Sequence, residues 1–348
     1  MNPKIFLFLL IFLPISCKKE NAISDNQRTK ISARIQYRND VGFLEFQSGK
    51  FTYKIPKSKL PLQKVMLLNA SLAGYFTELG EENRIVGISS PEYIYSEKIH
   101  RRIRENKIEN IGNEQKYDIE KIIASKPNAI FTNYIQSFEN TYDLLKKNGI
   151  EIIFIDDYLE QKPLEKAKII ELFGILFGVE NKAISKYSEI EKNYNDLKKL
   201  ALTAKKTPLV LSNEMYGNQW FLAGGKTSIA EFIKDAGGDY IFKENIDEKA
   251  VPLSFEEVFS KSQNAEFWVN IGNKKSKSEL LTANPNYAKL KVFGIGKLYA
   301  NTAKEKEKSN DYFESGTVRA DLVLKDYVKI FHPELLPNYK LTYLKELD

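Results

Sequence analysis

The sequence predicts an α/β protein with two Rossmann-like lobes bridged by a single long helix and preceded by a small N-terminal β appendage. Three observations lead to this fold class. Short apolar strands alternate with amphipathic helices in two separate stretches, the two stretches repeat the same order of motifs, and a long helical segment lies between them. The chain has 348 residues, of which 43% are hydrophobic and 28% are charged. This composition suffices for two packed cores and argues against a disordered chain.

The first stretch reads as parallel βαβ units. Apolar runs predict buried strands at 65–68, 85–88, 129–131 and 152–155. Amphipathic segments between them predict helices at 71–79, 118–125 and 142–147. Gly80 and Gly149 stand where the first and last of these helices end, as expected of glycine at a helix C-terminus.

The central segment predicts the bridging helix. An amphipathic helix over Pro163–Phe177 breaks at Gly178, and a second helical run follows at 183–202. Twenty helical residues span about 30 Å, the width of a small domain. We expect one apolar face on the second run, formed by Ile184, Tyr187, Ile190, Tyr194 and Leu197.

The second stretch repeats the first at low identity. Residues 71–80 align with 228–237, residues 118–123 with 254–259, and residues 128–131 with 264–267, in the same order. Ordered matches of this kind indicate two homologous lobes. Ligand sites favour the interface between such lobes, so we expect a cleft there.

The first residues predict export and a lipid anchor. Lys4 precedes nine apolar residues, 5–13, a run too short to cross a bilayer but suited to a signal peptide. Ser16 and Cys17 follow, and this arrangement resembles a bacterial lipoprotein processing site, which implies that Cys17 becomes the acylated first residue. Polar residues to 30 predict a tether, and alternating residues over 31–55 predict a hairpin or three-stranded appendage.

These signals divide the chain into five predicted parts. They are a signal peptide at 1–16, a tether with the β appendage at 17–60, a first lobe at 61–160, the bridging helix at 161–203 and a second lobe at 204–340.

Composition excludes several classes of function. The net charge of +6 is mild and evenly spread, which argues against nucleic acid as a partner. A single cysteine excludes an internal disulfide and a Cys-rich metal site. His100 and His332 lie far apart in the sequence, so we expect no metal bound directly by imidazole ligands.

No catalytic motif is present either. Gly225-Lys226-Thr227 superficially resembles a phosphate-binding loop, but position 220, where that loop needs a glycine, holds Trp220. We therefore expect this segment to turn into a helix that begins at Thr227 or Ser228. Asp156 and Asp157 at a strand end are expected to act as a turn and capping pair. The sequence thus predicts a protein that is not an enzyme.

Several segments together resemble one family. They are 83–89, 119–128, 224–228, 235–242, 294–299 and 332–334. In order and spacing they resemble the periplasmic binding proteins for ferric siderophores, haem and cobalamin. The resemblance implies a monomeric substrate-binding lipoprotein that captures an iron–siderophore complex between its lobes and delivers it to the permease of an ABC importer. It would be exported and anchored to the membrane, facing the periplasm or the cell surface.

Two alternatives stay open at this point. One is a cobalamin-binding or haem-binding protein of the same transporter class. The other is a structural or adhesion lipoprotein that binds no ligand. No cofactor of the protein's own is expected, since the ligand would be a ferric chelate or a corrinoid.

Ligand contacts are expected in loops at the carboxyl ends of the strands. Aromatic side chains suit a planar or chelate-wrapped ligand, although any one of them can instead pack against a neighbouring loop. Tyr216 and Trp220 are the favoured contacts, and Arg319 either neutralises an anionic chelate or forms a surface salt bridge. The candidate residues are Asn69, Tyr93, Tyr95, Tyr134, Tyr216, Trp220 and Arg319.

The resemblance also implies one docking glutamate on each lobe, at Glu120 and Glu256. Both positions fall in the first turn of a predicted helix, where a carboxylate also suits the helix dipole. Ser254 and Glu257 have the spacing of a capping box. We therefore expect Glu257 to cap its helix and Glu256 to point outward.

Overall fold

The computed structural model describes residues 28–113 and 115–348, so the predicted signal peptide and Cys17 lie outside the described residues. The described part of the chain begins with a four-stranded antiparallel sheet, where the sequence predicts a hairpin or three strands. Within the described residues, no helix combines the length and apolarity needed to cross a membrane. The strands of this N-terminal sheet are Thr29–Lys30, Ile35–Asn39, Phe43–Ser48 and Phe51–Pro56.

The N-terminal sheet packs on the outer strand of the first lobe. The backbone N–H of Phe154 donates a 2.8 Å hydrogen bond to the Tyr53 hydroxyl. The ring of Phe51 lies 4.5 Å from that of Phe154. The Ser32 hydroxyl donates to the Glu160 carboxylate. These contacts fix the sheet beside the carboxyl ends of the first-lobe strands.

The first lobe is a parallel five-stranded sheet with helices between its strands. Helices cover both faces of this sheet, so most residues of its central strands are apolar. In spatial order the strands are Glu151–Phe154, Ala129–Thr132, Val65–Leu67, Ile85–Ile88 and Glu109–Asn110. The helices are Ala73–Leu79, Glu97–Arg104, Ile119–Ser125 and Glu139–Lys147, and a small hairpin joins Gly112–Asn113 to Lys116–Tyr117.

The second lobe has a five-stranded sheet of its own, parallel except for its last strand. In spatial order its strands are Asp239–Tyr240, Leu209–Ser212, Phe267–Ile271, Lys297–Ala300 and Lys345–Glu346. A smaller antiparallel sheet contains Met215–Tyr216, Gln219–Ala223 and Ala250–Leu253, and a hairpin pairs Glu305–Lys306 with Ser309–Asn310. The helices are Ser228–Asp235, Phe255–Lys261, Lys277–Ala283, Lys291–Ile295, Ser315–Val318 and Ala320–Phe331.

Strand order confirms the internal repeat. When the short edge strand Glu109–Asn110 is left out of the count, the first strand of each lobe lies between the second and the third, and the fourth pairs with the third. The helices aligned in the sequence also end alike, since Gly80 and Gly237 both adopt left-handed backbone conformations (φ 65° and 79°). A glycine accepts that conformation at little cost, which explains why both helices stop there. The predicted two-lobed α/β fold is therefore confirmed.

Two consecutive helices connect the lobes. Pro163–Phe177 ends at Gly178, whose φ of 69° caps the helix where the sequence predicts a break. The 22-residue helix Glu180–Ala201 then runs alongside it and packs against Ala320–Phe331 of the second lobe. Of the predicted apolar face of this helix, Tyr187, Ile190 and Tyr194 are buried. The prediction is wrong for Ile184, which is 51% exposed near the start of the helix.

Candidate ligand-binding cleft

The carboxyl edges of the two sheets face each other across a cleft. Glu314, beyond the strand Lys297–Ala300, accepts a 2.6 Å hydrogen bond from the backbone N–H of Tyr95, which follows the strand Ile85–Ile88. Close approach of the backbones reinforces this contact. A Cβ atom at Gly74 would lie 2.2 Å from the Glu314 carbonyl oxygen, so only glycine fits there.

Burial changes the protonation of Glu314. It raises the pKa of this carboxyl group to about 7, although the N–H groups of Tyr95 and Ser96 favour the charged form. The side chain that joins the lobes therefore titrates near neutral pH. Desolvation dominates because the carboxylate lies between packed backbone segments.

Arg319 forms a second connection between the lobes. Its guanidinium donates to both carboxylate oxygens of Asp321, at 2.9 and 2.8 Å, and lies 3.8 Å from the Glu78 carboxylate of the first lobe. Burial raises the pKa of Glu78, and Arg319 partly offsets that rise. Of the two roles that the sequence left open for Arg319, the structure favours an ion pair, here half-buried between lobes rather than on the surface.

A cavity of about 300 Å³ opens between the second lobe and the helix that leaves the first lobe. Both polar and aromatic side chains reach it. Its walls include Pro163, Lys166, Ser228, Asn270, Asn301, Tyr312, Phe313 and Thr317.

Exposed aromatic side chains occur on both lobes, and one of them, Phe313, lines the cavity. Each lies in a segment that follows the carboxyl end of a sheet strand. Burial normally removes such side chains from water, so a group of exposed ones at one edge indicates a binding surface. This aromatic rim consists of Tyr93, Tyr158, Tyr216, Phe221 and Phe313, which are 48%, 53%, 83%, 36% and 59% exposed.

Three predicted contacts in the first lobe already have protein partners. The Tyr134 ring packs against Phe51 of the N-terminal sheet at 5.1 Å, and the Lys50 ammonium lies 3.9 Å from its centre. The Asn69 side chain accepts from the Ser71 N–H and donates to Asn133, and the Tyr95 ring lies beneath the Lys306 ammonium, which is 4.9 Å from its centre. Tyr95 and Tyr134 are partly exposed.

Trp220 does not line the cleft, and the prediction that it contacts ligand is wrong. Its side chain is fully buried, packs against Trp268 and Tyr287, and donates its indole N–H to the Ser212 carbonyl at 3.0 Å. The predicted loop around it is a β hairpin, in which Trp220 points to the core and Tyr216 points to solvent. A ligand therefore has no free face of Trp220 to contact.

The adjacent carboxylates of the first lobe have structural roles. Asp156 accepts a 2.9 Å hydrogen bond from the Tyr134 N–H, which ties two cleft loops together. Asp157 is buried, and its burial raises the pKa of its carboxyl group despite the nearby charge of Lys166.

The described residues contain no group of three or more His, Cys, Asp or Glu side chains placed to hold a metal ion.

A family model described as periplasmic binding protein matches residues 65–303, which is most of the chain. The chain belongs to the periplasmic binding protein family. The N-terminal sheet lies outside the matched region. Among relatives, this periplasmic binding protein is 23% identical to an uncharacterised lipoprotein of Methanocaldococcus jannaschii, over 81% of this chain and 68% of the relative.

Two solved structures share the fold of this periplasmic binding protein. One is CeuE of Helicobacter pylori with Ni(II) bound, at a TM-score of 0.62 and 17% identity, covering 84% of this chain and 89% of CeuE. The other is the haem-binding protein RhuT of Roseiflexus sp. RS-1, at 0.55 and 18%, covering 78% of this chain and 99% of RhuT.

Glu120 and Glu256 occupy equivalent places in the two lobes of this periplasmic binding protein. Each is exposed and is the second residue of a helix, after the capping residues Asp118 and Ser254. The predicted capping box is confirmed: Glu257 accepts from the Ser254 N–H at 2.8 Å, and Ser254 accepts from the Glu257 N–H. Glu256 is therefore left pointing outward.

Sequence reasoning missed the polar edge of the second-lobe sheet. Asn213, Asn270 and Asn301 stand at the carboxyl ends of three neighbouring strands and bond to one another. Asn213 and Asn270 have φ values of 60° and 53°. Asparagine tolerates this left-handed conformation better than most residues, and the recurrence of asparagine after short apolar runs was the available signal.

Proposed function

We propose that this protein is the substrate-binding component of an ABC importer and captures a metal chelate, first of all an iron–siderophore complex, between its lobes. The observation that carries the proposal is the aromatic rim. Tyrosine and phenylalanine faces offer apolar contact at low conformational cost, which suits a large ligand with a partly apolar envelope.

The presence of exposed aromatic side chains on both lobes supports a ligand that both lobes contact. The rim contains Tyr93 and Tyr158 from the first lobe and Tyr216, Phe221 and Phe313 from the second. The cavity beside Phe313 holds about 300 Å³, the lower end of the usual range for small-molecule sites. A bulky chelate would fill this cavity with one part and rest on the rim with another.

Cobalamin and haem are the alternative ligands in the same class. The haem-binding RhuT and the Ni(II)-containing CeuE share this fold, so the fold does not choose among ligands. A structural or adhesion lipoprotein is the alternative of another class. Such a protein would have no need of exposed aromatic side chains gathered between two lobes.

A thermal unfolding screen tests the proposal. Ferrichrome, cyanocobalamin and haemin are added in turn to the purified protein. A ligand at 100 times its dissociation constant stabilises the folded state by about 2.7 kcal/mol, a clearly measurable rise in midpoint. A rise with at least one compound supports the proposal, and unchanged midpoints with the whole panel would favour the structural alternative.

Delivery to a permease is proposed from Glu120 and Glu256. A transporter with two-fold symmetry presents the same surface twice, and the two lobes offer one exposed glutamate each at equivalent positions.

Anchoring through Cys17 is proposed from the sequence around it and from the lipoprotein description of the archaeal relative. The variant Cys17→Ala is expected to be exported but released from membranes. Fractionation after a high-salt wash checks this, and a variant that stays with the membranes would contradict acylation at Cys17.

A further inference from the structure

The asparagine row (Asn213, Asn270 and Asn301) forms one chain of hydrogen bonds along the carboxyl edge of the second-lobe sheet. The side-chain amide of Asn301 donates to the side-chain oxygen of Asn270 at 2.7 Å. The side-chain amide of Asn270 donates in the same way to Asn213, also at 2.7 Å. The three amides therefore act as one connected unit.

The direction of this chain is fixed at Asn213. Its side-chain NH₂ donates to the backbone carbonyl of Phe221 at 2.7 Å. Because a carbonyl can only accept, Asn213 must keep its NH₂ there and offer its Oδ1 to Asn270. The same reasoning then applies to Asn270, so Asn301 must donate to Asn270 and keep its own Oδ1 at the far end.

The far end is buried and unpaired. Asn301 is only 4% exposed, and within the described residues its Oδ1 has no hydrogen-bond donor. Asn270 and Asn301 both line the cavity between the second lobe and the helix Pro163–Phe177. Burying an acceptor without a donor is costly, and native proteins rarely leave one so. Since Asn301 lines the cavity, a ligand that fills the cavity comes next to this side chain.

We infer that Oδ1 of Asn301 accepts a hydrogen bond from the ligand. The donor would be an amide N–H or a hydroxyl at the edge of the chelate. This inference rests on the proposed function and narrows its ligand class. Peptide siderophores and corrinoids carry amide N–H groups at their periphery. The edge of haem carries methyl, vinyl and carboxylate groups, which offer no donor at neutral pH.

Binding measurements with the variant Asn301→Leu test the inference. Leucine has a similar volume but no acceptor. With the wild-type protein, we expect ferrichrome or cyanocobalamin to bind more tightly than haemin. The variant is expected to weaken that binding about tenfold, the equivalent of one well-placed hydrogen bond, and to leave any haemin binding unchanged. The matched control is Asn148→Leu, an exposed asparagine at the end of Glu139–Lys147. Unchanged affinity in Asn301→Leu, or equal losses with all three compounds, would overturn the inference.

If none of the three compounds binds, that result counts against the proposed function but leaves the role of Asn301 open. A crystal structure of the ligand-free protein then tests the role of Asn301. We expect an ordered water in the cavity within about 3.2 Å of Asn301 Oδ1, standing in for the ligand's donor. An Oδ1 bonded instead to the Lys166 ammonium or to another protein donor would overturn the inference.

Discussion

The carboxylate of Glu314 accepts the backbone N–H of Tyr95 at 2.6 Å and so joins the second lobe directly to the first. Glu314 is buried at this contact, and its pKa is raised to about 7 from an ordinary value of 4.5. The folded protein therefore favours the protonated form of Glu314 more strongly than the unfolded chain does. As pH rises from about 4.5 past 7, ionisation of Glu314 removes stability from the fold.

The variant Glu314→Gln tests this pH dependence. Glutamine keeps an oxygen for the Tyr95 N–H but carries no charge. We expect wild type to lose on the order of 3 kcal/mol relative to the variant between pH 5 and pH 8, the equivalent of the pKa rise. Urea unfolding across this range measures the difference, with the exposed Glu92→Gln as control. Parallel pH profiles for wild type and Glu314→Gln would contradict the assignment.

Replacement by alanine should lower the stability of the protein at Trp220 but hardly change it at Tyr216. Trp220→Ala empties a core position between Trp268 and Tyr287 and is expected to lower the free energy of unfolding by about 3–5 kcal/mol. Tyr216→Ala removes an exposed ring and should change it by less than about 0.5 kcal/mol. Urea unfolding measures both. Wild-type stability in Trp220→Ala together with lost ligand affinity would restore Trp220 to the site.

The capping box separates Glu257 from its neighbour Glu256. Glu257→Ala removes the acceptor of the Ser254 N–H and is expected to cost about 1 kcal/mol. Glu256→Ala removes an exposed carboxylate outside the box and should be nearly neutral for stability. Chemical unfolding of the two single variants gives the comparison, and equal losses would show that Glu256 also supports the helix.

If Glu120 and Glu256 dock to the permease, removing both should abolish transport of the ligand but leave ligand binding unchanged. The double variant Glu120→Ala/Glu256→Ala should bind ligand like wild type, because both residues are exposed at helix starts. Uptake of the radiolabelled ligand by cells carrying the cognate importer should be abolished. The matched control is Glu92→Ala, another exposed glutamate of the first lobe. Normal uptake by the double variant would refute the docking assignment.

Local signals predicted much of the fold. The strand Ile85–Ile88 was predicted at its observed bounds, and Gly80 and Gly178 end helices where the sequence indicates. The internal repeat predicted two homologous lobes, since both halves keep the same sequence of motifs. These features depend on residues close together in the chain, so periodicity and capping chemistry reveal them.

The candidate site was harder to predict because it depends on contacts between distant residues. Trp220 and Tyr216 lie in one short hairpin, and only its pairing decides which ring enters the core. Arg319 meets Glu78 from the other lobe, a contact that no local pattern encodes. The same holds for Asn301, whose unpaired oxygen becomes apparent only once three strand ends are side by side.

If one ligand contacts both lobes, then Tyr93→Ala and Phe313→Ala should each raise its dissociation constant. One residue lies on each lobe, and both side chains are about half exposed at the cleft. For the compound that wild type binds best, isothermal titration should show each variant weakened by about 1–3 kcal/mol with an unchanged unfolding midpoint. Wild-type affinity in both variants would contradict binding between the lobes.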